Sequence, residues 1–99
     1  MATTPEGLVK KQVDKILDAA PFCGYDKPVV TGFGSKFLDY IGCSKGRHFE
    51  IETKRPGVNT MTPRQEDRAE KSRAVGSTVF FINGQPEQYA ALEAWLHAD

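Results

Sequence analysis

The sequence predicts an α/β fold with a mixed central sheet, in the order helix, three strands, helix, strand, helix. Three observations predict it. The apolar period is helical near the N-terminus, changes to two between Lys27 and Lys54, and becomes helical again after Pro86. Thr4-Pro5 and Thr62-Pro63 each pair a capping hydroxyl with a proline at the first helical position, where its missing N–H costs nothing. The second of these helices separates the third strand from the fourth, as a crossover does.

Each element has its own local reason. In the first helix Val9, Val13, Ile16, Leu17 and Ala20 recur at helical spacing until Pro21, while Lys10, Lys11 and Lys15 crowd the rest of its surface. Lys27 to Phe33 holds a Val-Val-Thr segment suited to a strand, and Gly32 and Gly34 punctuate it. Phe37 to Ile41 is the expected second strand, with Phe37, Asp39 and Ile41 on one side and Leu38 and Tyr40 on the other. Cys43 to Gly46 is expected to turn. Arg47 to Lys54 alternates: Phe49, Ile51 and Thr53 share one face, and His48, Glu50, Glu52 and Lys54 the other.

Pro56 and Gly57 end that strand. Thr62, Pro63, Arg64 and Gln65 then form a capping box. The helix they open is polar, with Ala69, Ala74 and Val75 as its packing candidates and Gly76 as its stop. Ser77 to Ile82 reads as a buried strand and Asn83-Gly84 as a turn. A last helix from Pro86 to about His97 carries Tyr89, Leu92, Trp95 and Leu96 on one stripe.

At 99 residues the chain is expected to form one domain. Hydrophobic residues at 39% and charged residues at 26% are near the globular norm, which argues against disorder and against a coiled coil. No apolar run approaches a membrane span and the start resembles no signal peptide. Cys23 and Cys43 lack metal-type spacing, so reduced thiols in a cytoplasmic protein are expected, with Cys43 as a small core residue beside its turn. With His48 and His97 the only histidines, a zinc site built from Cys and His is not expected. Thirteen basic residues balance thirteen acidic ones, so bulk charge gives no nucleic-acid signal.

The chemistry-bearing pattern lies on the alternating strand. Glu52 and Lys54 leave the same face about 7 Å apart along the strand. An acid that can bind a hard cation then stands beside an ammonium that can hold a water, which suits metal-assisted phosphodiester hydrolysis once a second carboxylate joins. Asp39, one hairpin arm away, is that candidate. Composition alone gives about one acid-x-Lys match by chance, and a solvated, salt-bridged strand face explains it equally well. Asp39 on a mostly apolar side, and three acids (Asp39, Glu50, Glu52) around Lys54, weigh toward a bound cation.

Residues 32–66, GFGSKFLDYIGCSKGRHFEIETKRPGVNTMTPRQE, closely resemble the VRR-NUC nucleases of the PD-(D/E)XK superfamily. The pieces are a Gly-rich approach to a strand bearing Asp, a Gly-Cys turn, Ile-Glu-x-Lys, a Pro-Gly loop, and Thr-Pro-x-Gln opening a helix. The likeness extends from the first helix through Ile82. It implies a restriction-endonuclease-like core and a nuclease dependent on Mg²⁺ or Mn²⁺. It implies Asp39 and Glu52 as metal ligands, joined by the backbone carbonyl of Thr53 and by Glu6 on the first helix. Lys54 would position the attacking water, and Gln65 would reach into the site from the second helix. Acid placement at a helix start explains Glu6 as well, and capping explains Gln65. Leu38 stands where the family usually has proline, a departure that touches strand shape rather than metal binding.

The basic residues fall on the first helix, as Lys10, Lys11 and Lys15, and around the second, as Arg55, Arg64, Arg68, Lys71 and Arg73. Solvated helix faces explain most of them. Arg55 and Arg64 flank the expected chemistry and are the first choices for DNA phosphate contacts, with Lys36 and Lys10 as further candidates. Stand-alone members of the family resemble junction resolvases, so the resemblance implies cleavage of four-way (Holliday) junctions by a homodimer. Flap, nicked-duplex or single-strand cleavage, and a non-catalytic DNA- or partner-binding module, are the alternatives.

Overall fold

The computed structural model describes residues 4–28 and 37–98. Its elements are α1 (Pro5–Ala19), β1 (Cys23–Asp26), β2 (Tyr40–Ser44), β3 (Arg47–Thr53), α2 (Pro63–Ala74), β4 (Thr78–Ile82) and α3 (Pro86–His97). The strands form one sheet in the order β1-β2-β3-β4. The first three run antiparallel, and β4 joins parallel to β3 after the α2 crossover. The α/β class, the element order and the mixed sheet are those read from the sequence.

α1 and α3 cover one face of the sheet. Val9, Val13, Ile16 and Leu17 from α1 and Leu92 and Leu96 from α3 close on Tyr40, Phe49, Ile51 and Ile82. Trp95 adds edge-on contacts to Phe49 and Phe80, at 5.7 and 5.5 Å between ring centres. Thr4 caps α1 as expected, its Oγ1 accepting the Gly7 N–H at 2.9 Å.

α2 lies on the opposite face and is the thin side of the protein. Gln65, Arg68, Ala69 and Ser72, at i, i+3, i+4 and i+7, form its inward stripe. That stripe corrects the sequence reading: Ala69 is buried, but Ala74 and Val75 fall outside the stripe and are exposed, and Ser72 is buried instead. Val75 caps the helix and Gly76 follows in the left-handed region at φ 98°, the stop read from the sequence.

The first two strands start and end differently from expectation. Lys27 and Pro28 belong to no strand, and 29–33 lie outside the described residues. The strand is Cys23–Asp26, whose Cys23 and Tyr25 face the core while Gly24 and Asp26 face away. β2 begins at Tyr40 rather than Phe37 and runs through Ser44, because the turn is shorter than Cys43–Gly46. Lys45 and Gly46 both have positive φ, 53° and 79°, and join Ser44 directly to Arg47 as a two-residue hairpin turn. Cys43 is exposed, not core: it shares the outward side with Gly24, on the face that α1 and α3 leave uncovered. β4 is only partly buried except at Ile82, since as an edge strand it has a neighbour on one side alone.

Candidate functional site

Asp39 and Glu52 meet at the open end of the β2–β3 hairpin. Tyr40 pairs with Ile51, so the preceding residue, Asp39, stands opposite Glu52. The Asp39 N–H donates to Glu52 Oε1 at 3.2 Å. The Asp39 carboxylate turns toward the next residue of β3, where its Oδ2 accepts from the Thr53 N–H at 2.9 Å and from Thr53 Oγ1 at 2.6 Å. The N–H and C=O of an extended residue leave along the same strand edge, so the Thr53 carbonyl also leaves toward Asp39.

Glu52 is 2% exposed and meets three donors. Besides the Asp39 N–H, its Oε2 accepts from Gln65 Nε2 at 2.8 Å and lies 3.3 Å from Lys54 Nζ. Burial, and then the neighbouring Asp39 charge, push the Glu52 carboxyl up to about 7; Lys54 and the hydrogen bonds oppose that rise without cancelling it. A carboxyl held so high beside another carboxylate is a site where added positive charge is favourable.

Gln65 reaches this point through its helix cap. Its Oε1 accepts the Thr62 N–H at 2.9 Å while Thr62 Oγ1 accepts the Gln65 N–H at 3.3 Å. One side chain thus closes the capping box with its oxygen and binds Glu52 with its nitrogen.

On α1, Lys10 Nζ stands between two acids, 3.6 Å from Glu6 Oε2 and 3.9 Å from Asp39 Oδ1. Glu6 thus meets Lys10, which in turn lies against Asp39. No group of three His, Cys, Asp or Glu side chains able to hold a metal forms among the described residues. The candidate donors, the Asp39 and Glu52 carboxylates and the Thr53 carbonyl, are all hard oxygens, and that chemistry fits Mg²⁺ or Mn²⁺. α1 is anchored here by the buried Tyr40, whose hydroxyl donates to Asp14 Oδ1 at 2.7 Å.

Arg55 and Arg64 are exposed on either side of the loop that joins Lys54 to α2. Asn83 pins that loop, its Nδ2 donating to the Val58 carbonyl at 2.9 Å and to Asn59 Oδ1 at 3.2 Å. Lys36 lies outside the described residues. Glu50 does not join the acids around Lys54, because Arg68 Nε donates to its Oε1 at 3.0 Å and draws it away. Sequence reasoning missed that pair. The signal was available in combined spacing: Arg68 is three residues after Gln65, and Glu50 two before Glu52.

No family model matches the chain and no curated protein is similar to it. Among solved structures, one described as a VRR_NUC domain superposes with a TM-score of 0.72, covering 90% of this chain and 94% of its own, at 24% sequence identity. The chain thus has the fold of a VRR-NUC domain, with the four-stranded mixed sheet and three flanking helices of the restriction-endonuclease-like architecture.

Proposed function

We propose that this domain is a metal-dependent nuclease that hydrolyses DNA phosphodiesters at Asp39, Glu52 and Lys54. One observation carries the reading: on a VRR-NUC fold, the carboxylate just before β2 and the one near the end of β3 share a half-buried corner with a lysine just past β3. Asp39, Glu52 and the Thr53 carbonyl are the groups that would hold Mg²⁺ or Mn²⁺. Bound there, the cation would polarise the scissile phosphate and acidify a water.

The chain's own residues do the rest. Thr53 fixes the Asp39 carboxylate through Oδ2 and leaves Oδ1 turned outward, toward Lys10. Gln65 and the Asp39 N–H fix both oxygens of Glu52. Lys54, with its side chain 17% exposed, is held where its ammonium can hydrogen-bond an attacking water and offset charge growing on the phosphate. Lys10, Arg55 and Arg64 supply positive charge against the polyanion.

Four-way junctions cut by a homodimer remain the specific substrate proposed, since two symmetric cuts need two sites and each chain supplies one. The reading places the protein in the cytoplasm with its DNA; no helix among the described residues is long and apolar enough to cross a membrane. Labelled junction, flap, nicked and linear DNA, assayed side by side with Mn²⁺, test the function. Junction cleavage by a species of about 22 kDa in light scattering supports it in full. Flap or single-strand cleavage by a monomer would keep the chemistry and overturn the junction reading. No cleavage of any substrate, with DNA still bound, would favour a non-catalytic module.

A further inference from the structure

Two rungs join α2 to β3. Gln65 meets Glu52 at 2.8 Å, and one helical turn later Arg68 meets Glu50 at 3.0 Å. The partners are i, i+3 on the helix and i, i+2 on the strand, steps of about 5 and about 7 Å. Arg68 therefore stands one step along the sheet from the carboxylate corner, a distance comparable to one nucleotide of backbone.

The Arg68 guanidinium is held from two directions. Among the described residues Glu50 is fully buried, Arg68 is its one ionic partner, and its Oε2 has no hydrogen-bond partner. A buried, half-satisfied carboxylate is costly to keep. On its other side the guanidinium carbon lies 5.0 Å from the centre of the Phe37 ring, two residues before Asp39. Fixed at Nε and against an aromatic face, the guanidinium keeps its Nη groups clear of any other hydrogen bond among the described residues. Arg68 also lines a cavity of about 810 Å³ between α2 and the start of β3, with Arg47, His48, Lys71 and Ser77 on its walls and Glu50 as its one acid.

Building on the nuclease reading, we propose that Arg68 binds the phosphodiester next to the one cut, that Glu50 is its positioning residue, and that the cavity takes the continuing DNA backbone. A guanidinium oriented in advance loses little freedom when it binds a phosphate, which favours both affinity and register.

Anisotropy titrations of a labelled DNA duplex and its single strand, in EDTA and across a salt series, test this. Glu50→Gln removes an acid from the path of a polyanion, so bulk electrostatics alone would tighten binding; the proposal requires it to weaken. Glu50→Gln with Arg68→Gln leaves the net charge unchanged and no buried charge unpaired. It should bind about tenfold or more weakly, with a salt slope reduced by about one. Arg68→Lys keeps the charge but loses the fork, and should keep the slope while losing affinity. Arg73→Gln, an exposed control on the same helix, should stay within about twofold of wild type. Circular dichroism confirms folding, and if Glu50→Gln fails it, the double variant and Arg68→Lys decide. Tighter binding by Glu50→Gln, or a double variant no weaker than Arg73→Gln, overturns the proposal while wild-type cleavage leaves the nuclease reading standing. A wild type that binds neither DNA overturns both.

Discussion

In the metal-free protein, Glu52→Gln should gain stability relative to wild type as pH rises. Glutamine keeps the size of the side chain and acts as a permanent mimic of the protonated carboxyl. In the folded protein the Glu52 carboxyl rises from 4.5 to about 7, through burial first and the Asp39 charge second. Its folded value lies above its unfolded value, so between those two the folded state holds more protons. Its stabilising contribution is then complete below about pH 4.5 and is lost as pH rises through about 7. At about 1.4 kcal/mol per pH unit, wild type should lose on the order of 2–3 kcal/mol across that window through this one group. The assay is urea denaturation of both proteins in EDTA at pH 5 and pH 8, comparing the gap between them so that other titrating groups cancel. The gap should move toward the variant by that amount at pH 8. Adding Mg²⁺ at pH 8 should then stabilise wild type, since a ligand that binds only the folded state at one hundred times its Kd contributes about 2.7 kcal/mol, and the variant should gain much less. A gap that is the same at both pH values would refute the reasoning, because Glu52 would then carry no unrelieved charge.

Lys54→Ala should lose most turnover yet keep its affinity for Mn²⁺ in calorimetric titration, because the ammonium faces Glu52 as a cation and cannot be a ligand; loss of metal binding would overturn that division of roles. Gly42→Ala should destabilise by about 1–3 kcal/mol in the same denaturation assay. Its Cβ would sit 2.5 Å from the Gly24 carbonyl oxygen and 2.7 Å from Phe49 Cζ, and a variant of wild-type stability would mean that β1 packs on β2 less closely than described.

The placement of the candidate residues was more legible in the sequence than the bounds of the first two strands. Glu52 and Lys54 sit on a strand whose alternation and Pro56-Gly57 stop leave little freedom, and Gln65 is placed by a capping box that is local by nature. The first two strands were harder to place for a physical reason. Cys23–Asp26 contains Gly and Asp, weak strand formers, and is held by tertiary contacts: Tyr25 lies 6.0 Å from Tyr40, ring to ring, and Tyr25 Oη donates to Asp18 at 2.7 Å. The exact end of β2 depended on Lys45 taking positive φ, which its side chain does not advertise. The inward stripe of α2 was misread because three of its four positions are polar. Gln65 and Arg68 face the sheet to meet Glu52 and Glu50, and hydrophobic periodicity cannot register such a face.

The proposed metal site can be tested by anomalous diffraction from crystals grown in Mn²⁺. A peak bonded to the carboxylates of Asp39 and Glu52 and to the Thr53 carbonyl, and lost in Asp39→Ala crystals, is the expected result. A peak elsewhere on the molecule, or no peak from a protein that cleaves DNA in the same buffer, would contradict it.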